Sequence, residues 1–410
     1  MPTLARLVGA DLRVFADQVW GRRPLLRRCD APGREGFGDL LSRDAIDQLL
    51  AERGLRTPFL RVARSGTTLP DRSFTDGGGV GAQVADQVSD DKVHRLFVDG
   101  STIVLQGLHR IWPPLVEFAQ DLAADLGHPV QMNAYVTPPQ SQGFATHYDV
   151  HDVFVLQLFG HKRWSVHGPV HPLPLRDQPW TERREEVAAA GHGPPALAGV
   201  LAPGDCLYLP RGYLHSAVAL GEVSGHLTVG VHPWTGHTLA QDVTAAALAD
   251  LAADPDIRAA LPVGVDVADP DQVAANLIRV KAALVSAIAR IDAGGLARSM
   301  HRRSRESQRA APLFPLVQAA TARQVGVDTP VVLRRHLHPR SERTESGGMR
   351  VVSRAGVLEI PADEVVGMPL ALDGLPFTAA DLPLPEDAAI ELVRRLLGGA
   401  IVVPSVIPSP

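Results

Sequence analysis

The segment from residue 93 to residue 235 is a succession of short strand patterns, and it limits the possible folds more than any other part of the chain. Six short stretches with strand patterns lie between proline and glycine turns: 101–108, 130–138, 151–160, 162–168, 204–212 and 226–234. Only residues 113–127 in this region have a helical pattern. Many closely spaced short strands are typical of a β-barrel or jelly roll, so we predict a mainly β core, with a hairpin at FGHKRW (159–164).

Helical patterns flank this core. Residues 1–60 are helical and mixed, and a Gly- and Asp-rich connection follows at 65–92. Two Ala-rich stretches after the core, 238–253 and 271–292, have apolar residues at helical spacing. A small C-terminal unit combines strand patterns with a helix at 385–399, which is marked by a proline and acids at its start and two glycines at its end. These changes predict four regions: 1–92, packing on the barrel; 93–237, the barrel; 238–310, a helical segment; and 311–410, a small α+β domain.

Composition excludes several classes of protein. The 410 residues are 45% hydrophobic and 21% charged, with a net charge of -5 and a pI near 6.3, so we expect no nucleic-acid partner. The only two cysteines, Cys29 and Cys206, are far apart, which favours a reducing compartment and argues against a disulfide framework or a thiolate zinc site. The N-terminal residues lack the features of a signal peptide, and no apolar stretch approaches a membrane span of about 18 residues. We therefore expect a cytoplasmic protein with no membrane partner.

Residues 146–152, THYDVHD, place two histidines and two aspartates in seven positions. In a strand, His147, Asp149 and His151 would share one face. Residues two apart are separated by about 6.6 Å along a strand, so two of the three can reach one ion, whereas all three span roughly 13 Å. A third ligand must then come from another strand, as in the 2-His-1-carboxylate set of non-haem Fe(II) oxygenases.

The best distant candidate for this third ligand is His215, in PGDCLYLPRGYLHSAVA (203–219). The turn 210–212 introduces a strand pattern in which His215 stands between Leu214 and a run of small, mostly apolar residues. That position suits a side chain that faces the inside of a barrel. His226, at the start of another strand pattern, remains the alternative.

Two long stretches resemble a known family. NAYVTPPQSQGFATHYDVHDVFVLQLFGHKRW (133–164) and LAPGDCLYLPRGYLHSAVA (201–219) are similar to the JmjC-type ribosomal oxygenases, or cupin-4 family, and FADQVWGRRPLL and STIVLQGLHRIWPP extend the similarity to bacterial members. The resemblance covers most of the chain. It implies a double-stranded β-helix (a jelly-roll JmjC barrel) with flanking helices, then a helical dimerisation segment over 238–310 and a winged-helix-like α+β domain over 311–410.

The resemblance also implies which residues hold iron. His147 and Asp149 fall on the family's H-x-D ligands, and His215 falls on its distal histidine. His151 has no ligand counterpart in the family. The implied metal set is therefore His147, Asp149 and His215, which are also the implied catalytic residues.

A second group of positions is implied to bind 2-oxoglutarate. Lys162, fifteen positions after His147, corresponds to a basic residue that pairs with the far carboxylate of this co-substrate. Asn133 and Tyr135 match positions near it, and Thr228 matches a hydrogen-bonding position. Gly230 stands where the family often has a hydroxyl group.

The implied activity is hydroxylation of a side chain of a polypeptide, foremost a ribosomal protein, with Fe(II), 2-oxoglutarate and O2, by a homodimer. The alternatives are a tailoring hydroxylase acting on a ribosomally made peptide or another small substrate, a cupin metalloenzyme that does not use 2-oxoglutarate, and a barrel that only binds. A role of Lys162 in 2-oxoglutarate turnover separates the hydroxylases from the other two.

Overall fold

The structure is a computed structural model that describes residues 2–9, 11–29, 36–64, 66–141 and 144–405. The chain divides into two compact units, Met1–Pro233 and Trp234–Pro410. Each unit has its own hydrophobic core.

The first unit is built on an antiparallel sheet. The strands of this unit are β1 (Leu25–Arg27), β2 (Leu60–Arg64), β3 (Thr67–Thr68), β4 (Thr75–Asp76), β5 (Gln87–Val88), β6 (Thr102–Leu105), β7 (Val130–Thr137), β8 (Asp152–His167), β9 (Leu197–Leu201), β10 (Cys206–Leu209) and β11 (Leu214–Val231). Nine of them form one sheet in the order β1-β10-β8-β11-β7-β6-β2-β3, with β9 also paired to β8, while β4 pairs with β5. The prediction of a mainly β core is confirmed.

Short helices accompany this sheet. They are α1 (Thr3–Val8), α2 (Leu12–Val14), α3 (Arg43–Ala51), α4 (Asp90–Val98), α5 (Pro113–Leu126) and α6 (Arg184–Gly191), with a π-helical turn at Phe15–Val19 and 3-10 turns at Asp71–Ser73, Leu108–Arg110 and Trp180–Arg183. The helix predicted at 113–127 is α5. It starts with Pro113 and ends before Gly127. Gly127 has a φ of 69°, a left-handed conformation that ends a helix and that glycine adopts without strain.

The two faces of the sheet have different neighbours. On β7, Met132 and Ala134 are fully buried in a core that also contains Leu7, Phe15 and Leu115 from the N-terminal helical part. The alternate side chains of β7 point to the opposite face, because successive residues of a strand alternate. That opposite face carries Tyr135 and forms the wall of the cavity described below.

The hairpin predicted at FGHKRW is wrong. Strand β8 runs without interruption from Asp152 to His167, and Lys162 pairs with Ala219 of β11 and with Leu201 of β9. The glycine of this motif, Gly160, has a φ of 62°, and a Cβ there would lie 2.2 Å from the carbonyl oxygen of Val223. The glycine therefore bends β8 at a bulge instead of reversing the chain.

The regular strand assumed for THYDVHD is also wrong. Only His147 makes a β-bridge, to His215, and β8 begins at Asp152. The side chains between these two residues nevertheless point in different directions. Tyr148 is 1% exposed and lies in a small core with Val187 and Leu214. Asp149 faces the cavity.

The second unit is mostly helical and ends in a small α+β part. Its helices are α7 (Gly236–Leu251), α8 (Pro255–Arg258), α9 (Pro270–Arg290), α10 (Ala293–Ser307), α11 (Pro315–Gln324), α12 (Met368–Ala371) and α13 (Glu386–Gly398), with 3-10 turns at Val365–Gly367 and Ala379–Asp381. Its strands are β12 (Val331–Leu333), β13 (Arg340–Arg343), β14 (Met349–Ser353), β15 (Gly356–Ile360) and β16 (Val402–Pro404). Strand β12 pairs with β16, and β13, β14 and β15 form a meander.

One helix of this unit corrects a sequence expectation. Judged by length and composition alone, α9 is long and apolar enough to cross a membrane, although Arg279 and Lys281 lie within it. One side of α9 packs through Ala283 and Ala287 in a small core shared with α7. Other apolar side chains of α9, such as Ile278, are exposed. A single helix of this kind is weak support for a membrane span, because other amphipathic helices meet the same criterion.

Candidate active site

A cavity of about 240 Å³ lies against the face of the sheet that carries Tyr135. Polar, titratable and aromatic side chains dominate its wall. The lining residues are Arg61, Thr102, Tyr135, Thr137, Phe144, His147, Asp149, Val153, Val155, Lys162, Trp164, Trp180, His215, Ser216, Ala217, His226 and Thr228. Seven residues were implied to bind the metal or 2-oxoglutarate, and the cavity brings together six of them, all but Asn133.

His147 and His215 are held side by side by their own backbones. The amide of His147 donates to the carbonyl oxygen of His215 at 3.2 Å, and the amide of His215 donates back to His147 at 2.8 Å. Residues that exchange both hydrogen bonds in an antiparallel pair project their side chains on the same face. The two imidazole centroids are accordingly 4.4 Å apart.

Main-chain carbonyl groups fix which nitrogen of each imidazole faces the cavity. His147 Nδ1 lies 2.7 Å from the carbonyl oxygen of Ala145, and His215 Nδ1 lies 3.1 Å from that of Tyr213. A carbonyl oxygen only accepts, so each Nδ1 carries a proton, and each Nε2 is the nitrogen left to bind a metal. Burial lowers the pKa of His215 to about 4, which keeps this imidazole neutral, the form that binds metals.

Asp149 completes the set. Its carboxylate oxygen Oδ2 lies 3.8 Å from His215 Nε2. Burial alone would raise the pKa of Asp149, but the imidazoles of His151, His215 and His147 outweigh burial and hold it below its usual value. One ligand atom from each of His147, Asp149 and His215 falls in a group whose members lie within 4.8 Å of one another, and this is the only such group in the described part of the chain. Two imidazoles and one carboxylate are a suitable donor set for Fe(II).

The other two histidines considered at the sequence level lie beside this group. His226 is 4% exposed, and its ring stacks on Tyr135 with centroids 5.1 Å apart. His151 stacks on His232 at 5.1 Å. A Cβ on Gly230 would lie 2.5 Å from the ring of His151, so His151 fills the space that a side chain at position 230 would need.

Lys162 is a buried cation beside the metal-ligand candidates. It is 4% exposed, and its ammonium donates to Thr137 Oγ1 at 3.0 Å and lies 3.4 Å from His226 Nδ1. Among the residues that the structure describes, Lys162 makes no ion pair with a carboxylate. Burial lowers the pKa of Lys162 to about 7. An unpaired buried ammonium is costly, and a dicarboxylate bound in this cavity would offset that cost.

Of the three remaining candidates for co-substrate binding, two line the cavity and one does not. Thr228 and Tyr135 line the cavity, and burial together with the charge of Asp149 raises the pKa of Tyr135 to about 12, so the phenol stays protonated. Asn133 is not among the cavity-lining residues described. Its Oδ1 accepts a hydrogen bond from the amide of Gly107 at 3.0 Å, which ties β7 to the turn after β6.

An internal ion pair ties the two ligand-bearing segments together. Asp152, fully buried, accepts hydrogen bonds from Tyr208 Oη at 3.0 Å, from the Arg211 amide at 3.2 Å and from Arg211 Nη1 at 3.2 Å. The amide of Gly212 donates to the carbonyl oxygen of Asp149 at 3.0 Å. The start of β8 is thus connected to the turn that precedes His215.

Replacing Asp152 with asparagine should destabilise the first unit strongly. The Arg211 side chain is 13% exposed and would lose its only recorded charge partner in the described structure. Breaking a buried pair by removing one partner costs about 3–5 kcal/mol. Urea unfolding measures this loss, and Glu222→Gln, which breaks the exposed His161–Glu222 pair, serves as the control with an effect below about 1 kcal/mol. Equal effects of the two substitutions would contradict the prediction.

Several cavity residues were not found from the sequence. Arg61 on β2 and the indoles of Trp164 and Trp180 line the cavity. The Trp164 indole nitrogen is buried without a hydrogen-bond partner in the described structure. A basic residue inside the apolar stretch FLRVA was the available signal for Arg61. It could not be used without the strand order, because β2 lies three strands from β11.

The comparisons with known proteins agree with this geometry. Residues 115–239 match the JmjC domain family. This segment contains all three metal-ligand candidates and Lys162. These residues form a JmjC domain. The remaining residues lie outside that match.

This protein is similar to curated proteins from animals. It is 31% identical over 233 residues to the bifunctional lysine-specific demethylase and histidyl-hydroxylase NO66 of Drosophila persimilis, covering 56% of the chain and 31% of the relative. It is 32% identical over 216 residues to ribosomal oxygenase 1 of Gallus gallus, covering 52% of the chain and 34% of the relative. The chain thus matches about a third of the length of these relatives.

Solved structures match nearly the whole chain. The ribosomal oxygenase YcfD of Escherichia coli aligns over 96% of this chain and 98% of YcfD, with a TM-score of 0.54 and 16% identity. YcfD in complex with cobalt and 2-oxoglutarate aligns with a TM-score of 0.52 and 15% identity, over 97% and 99% of the two chains. At this identity the match establishes the fold, and the predicted JmjC barrel with flanking helices is confirmed.

Proposed function

We propose that the protein is an Fe(II)- and 2-oxoglutarate-dependent oxygenase that hydroxylates a side chain of a polypeptide, most simply a ribosomal protein. One observation carries the proposal: a 2-His-1-carboxylate set and an unpaired buried lysine share one cavity. The first binds the metal that such oxygenases use, and the second suits the far carboxylate of 2-oxoglutarate. The relatives named ribosomal oxygenase and histidyl-hydroxylase support the substrate class.

The chain's own residues would have distinct parts in this reaction. His147, Asp149 and His215 would hold the iron, with both imidazoles oriented by carbonyl groups. The ammonium of Lys162 would orient 2-oxoglutarate, and Thr228 would add a hydroxyl contact. Bound iron would supply O2 activation coupled to decarboxylation, so that substrate, 2-oxoglutarate and O2 give hydroxylated substrate, succinate and CO2. The indoles of Trp164 and Trp180, which line the cavity, would restrict the access of water.

Mass spectrometry of ribosomal proteins tests the proposed substrate class. Proteins from cells with and without the gene are compared, and one protein should lack a single oxygen atom in the deletion strain. The purified protein with Fe(II) should restore this oxygen and form an equal amount of succinate from 2-oxoglutarate. If the purified protein instead removes a methyl group from a protein of the deletion strain, the reaction is lysine demethylation. Failure to form succinate with any ribosomal extract would count against the proposed activity.

The affinity for 2-oxoglutarate should fall as the pH rises above 7. Burial lowers the pKa of Lys162 to about 7, so the free protein loses this charge above that pH, and binding of the dianion must restore it. The affinity then falls by up to about tenfold per pH unit. Calorimetry in buffers of different ionisation enthalpy should show uptake of about one proton at pH 8.5 and little at pH 6. Lys162→Arg keeps its charge at these pH values, so its residual affinity should not vary with pH.

We further propose that α9 contributes to a homodimer interface. Ile278 and Val285 are 70% and 68% exposed, and their spacing of seven residues puts both on one helix face. A second copy of the chain would cover these side chains without a membrane. Ile278→Glu with Val285→Glu should convert a dimer into a monomer in light scattering after size-exclusion chromatography. Leu375→Glu, at a 67% exposed leucine outside α9, is the control and should leave the mass unchanged.

The proposed location is the cytoplasm, and the proposed partners are O2 and a polypeptide rather than nucleic acid or a membrane. The small number of cysteines, two in 410 residues, supports a reducing compartment. Fractionation of cells that express a tagged chain would test the location.

A further inference from the structure

Arg61 faces the cavity as part of a row of side chains that crosses four strands. It pairs with Val104 on β6, which pairs with Tyr135 on β7, which in turn pairs with His226 on β11. Paired residues of neighbouring strands project on the same face. Leu60 and Val62, on either side of Arg61, are fully buried in the core on the opposite face.

The guanidinium of Arg61 lacks an acidic partner in the described parts of the chain. No ion pair or hydrogen bond of its side chain is recorded there, and its Nε is buried without a partner. Arg64, on the same strand, differs: it donates to Ser101 Oγ at 3.1 Å and lies 3.5 Å from Asp99. The half-buried Arg61 is therefore a cation that the described fold does not neutralise.

The charges of the cavity point to the ligand of Arg61. Asp149 is the only carboxylate among the lining residues described, and it belongs to the metal-ligand set. A metal dication, Lys162 and Arg61 then exceed Asp149 and a 2-oxoglutarate dianion by one positive charge. In the proposed function both ends of 2-oxoglutarate have partners, the metal and Lys162, so the remaining positive charge would be available to the substrate.

We propose that Arg61 determines substrate specificity by binding a carboxylate that the polypeptide substrate carries close to the oxidised carbon. The carboxylate comes from an acidic side chain or from the C-terminus of the substrate. This proposal rests on the proposed function, since it concerns the same cavity. A guanidinium binds a carboxylate through two parallel hydrogen bonds, which would orient the substrate as well as select it.

The test uses degenerate nonapeptide pools that differ at one position. One pool has Glu there, a second has Gln and a third has Lys, and each is made with a free and with an amidated C-terminus. Binding of the fluorescein-labelled pools is measured by anisotropy, under nitrogen and with Mn(II) and 2-oxoglutarate, so that no turnover occurs. Succinate formation in air with Fe(II) is the second measurement.

The unsubstituted protein should bind a carboxylate pool about tenfold more tightly than its neutral counterpart, as expected for one partly buried charged hydrogen-bonded pair. A preference for Glu over Gln in amidated pools identifies a side-chain carboxylate. A preference for free over amidated C-termini identifies the terminal one. Arg61→Gln should bring the ratio of affinities for the carboxylate pool and its neutral counterpart close to one, and Arg61→Lys should keep part of the preference. Arg61→Glu should favour the Lys pool. Arg64→Gln should keep the preference of the unsubstituted protein.

Three results would overturn the proposal. The first is equal binding of carboxylate and neutral pools by the unsubstituted protein. The second is a preference for carboxylate that survives Arg61→Gln. The third is a loss of 2-oxoglutarate affinity in Arg61→Gln, measured by calorimetry, which would assign Arg61 to the co-substrate. Succinate formation by the unsubstituted protein reports on the proposed function separately. An active protein without a carboxylate preference contradicts only the role of Arg61.

Discussion

Replacing Asp149 with alanine should abolish tight metal binding and, with it, succinate formation. Asp149 supplies the only anionic ligand of the described metal-ligand set, and the nearby imidazoles hold its pKa below the usual value, so it is charged at neutral pH. Losing a residue that only supports a ligand weakens metal binding about 10- to 100-fold, and losing a ligand should cost at least the upper value. Calorimetry with Fe(II) under nitrogen, or with Mn(II) in air, measures the change.

His151→Ala is the matched control for this experiment. His151 lies two positions further along the chain but stacks on His232 and is outside the ligand group. It should keep metal binding within about tenfold. The fold should survive Asp149→Ala, because the bond from the Gly212 amide goes to the backbone of residue 149 and not to its side chain. If Asp149→Ala binds metal as tightly as the unsubstituted protein, the proposed ligand set is incorrect.

Replacing Lys162 with methionine should have two opposite effects. The affinity for 2-oxoglutarate should fall by at least about 30-fold, because loss of one partner of a buried charge pair costs about 2–5 kcal/mol. The protein without 2-oxoglutarate should become more stable, because methionine fills a similar volume without burying an unpaired ammonium. Calorimetric titration gives the first change and thermal unfolding without ligand gives the second.

Arg163→Met is the control for Lys162→Met. Arg163 is the next residue of β8, points to the other face and is exposed, so its replacement should alter neither quantity markedly. Metal binding should persist in both variants, because neither residue belongs to the ligand group. Unchanged 2-oxoglutarate affinity in Lys162→Met would remove Lys162 from the co-substrate site, while a fall in metal affinity would indicate a distorted cavity.

The sequence predicted the positions of the barrel strands better than their lengths and bends. The strand patterns at 130–138 and 204–212 correspond to β7 and β10, because regular alternation and turn residues are local signals. The pattern around FGHKRW belongs to the long strand β8, and most of the pattern at 226–234 belongs to the long strand β11. The pairing of these two strands is interrupted by register shifts of the kind that a bulge produces. A glycine signals a turn and a bulge equally well, and only the neighbouring strand decides between them.

The site residues show the same division between local and long-range information. His147, Asp149, His215 and Lys162 stand in motifs, and the fold places them in one cavity, although their roles stay predictions until variants are measured. Arg61 carries no motif. It reaches the cavity only because β2 joins the sheet next to β6.

The backbone exchange between His147 and His215 makes the metal site a reporter of folding. The two imidazoles become neighbours only when segments that are distant in the sequence close into one ladder. Closing such a long loop costs an unfolded chain entropy, which lowers its affinity for the ion relative to the folded chain. Metal would therefore bind the closed form more tightly than the open one, so an occupied site would add stability that rises with the logarithm of the free metal concentration. Iron supply would then change the stability of the folded barrel as well as its chemistry.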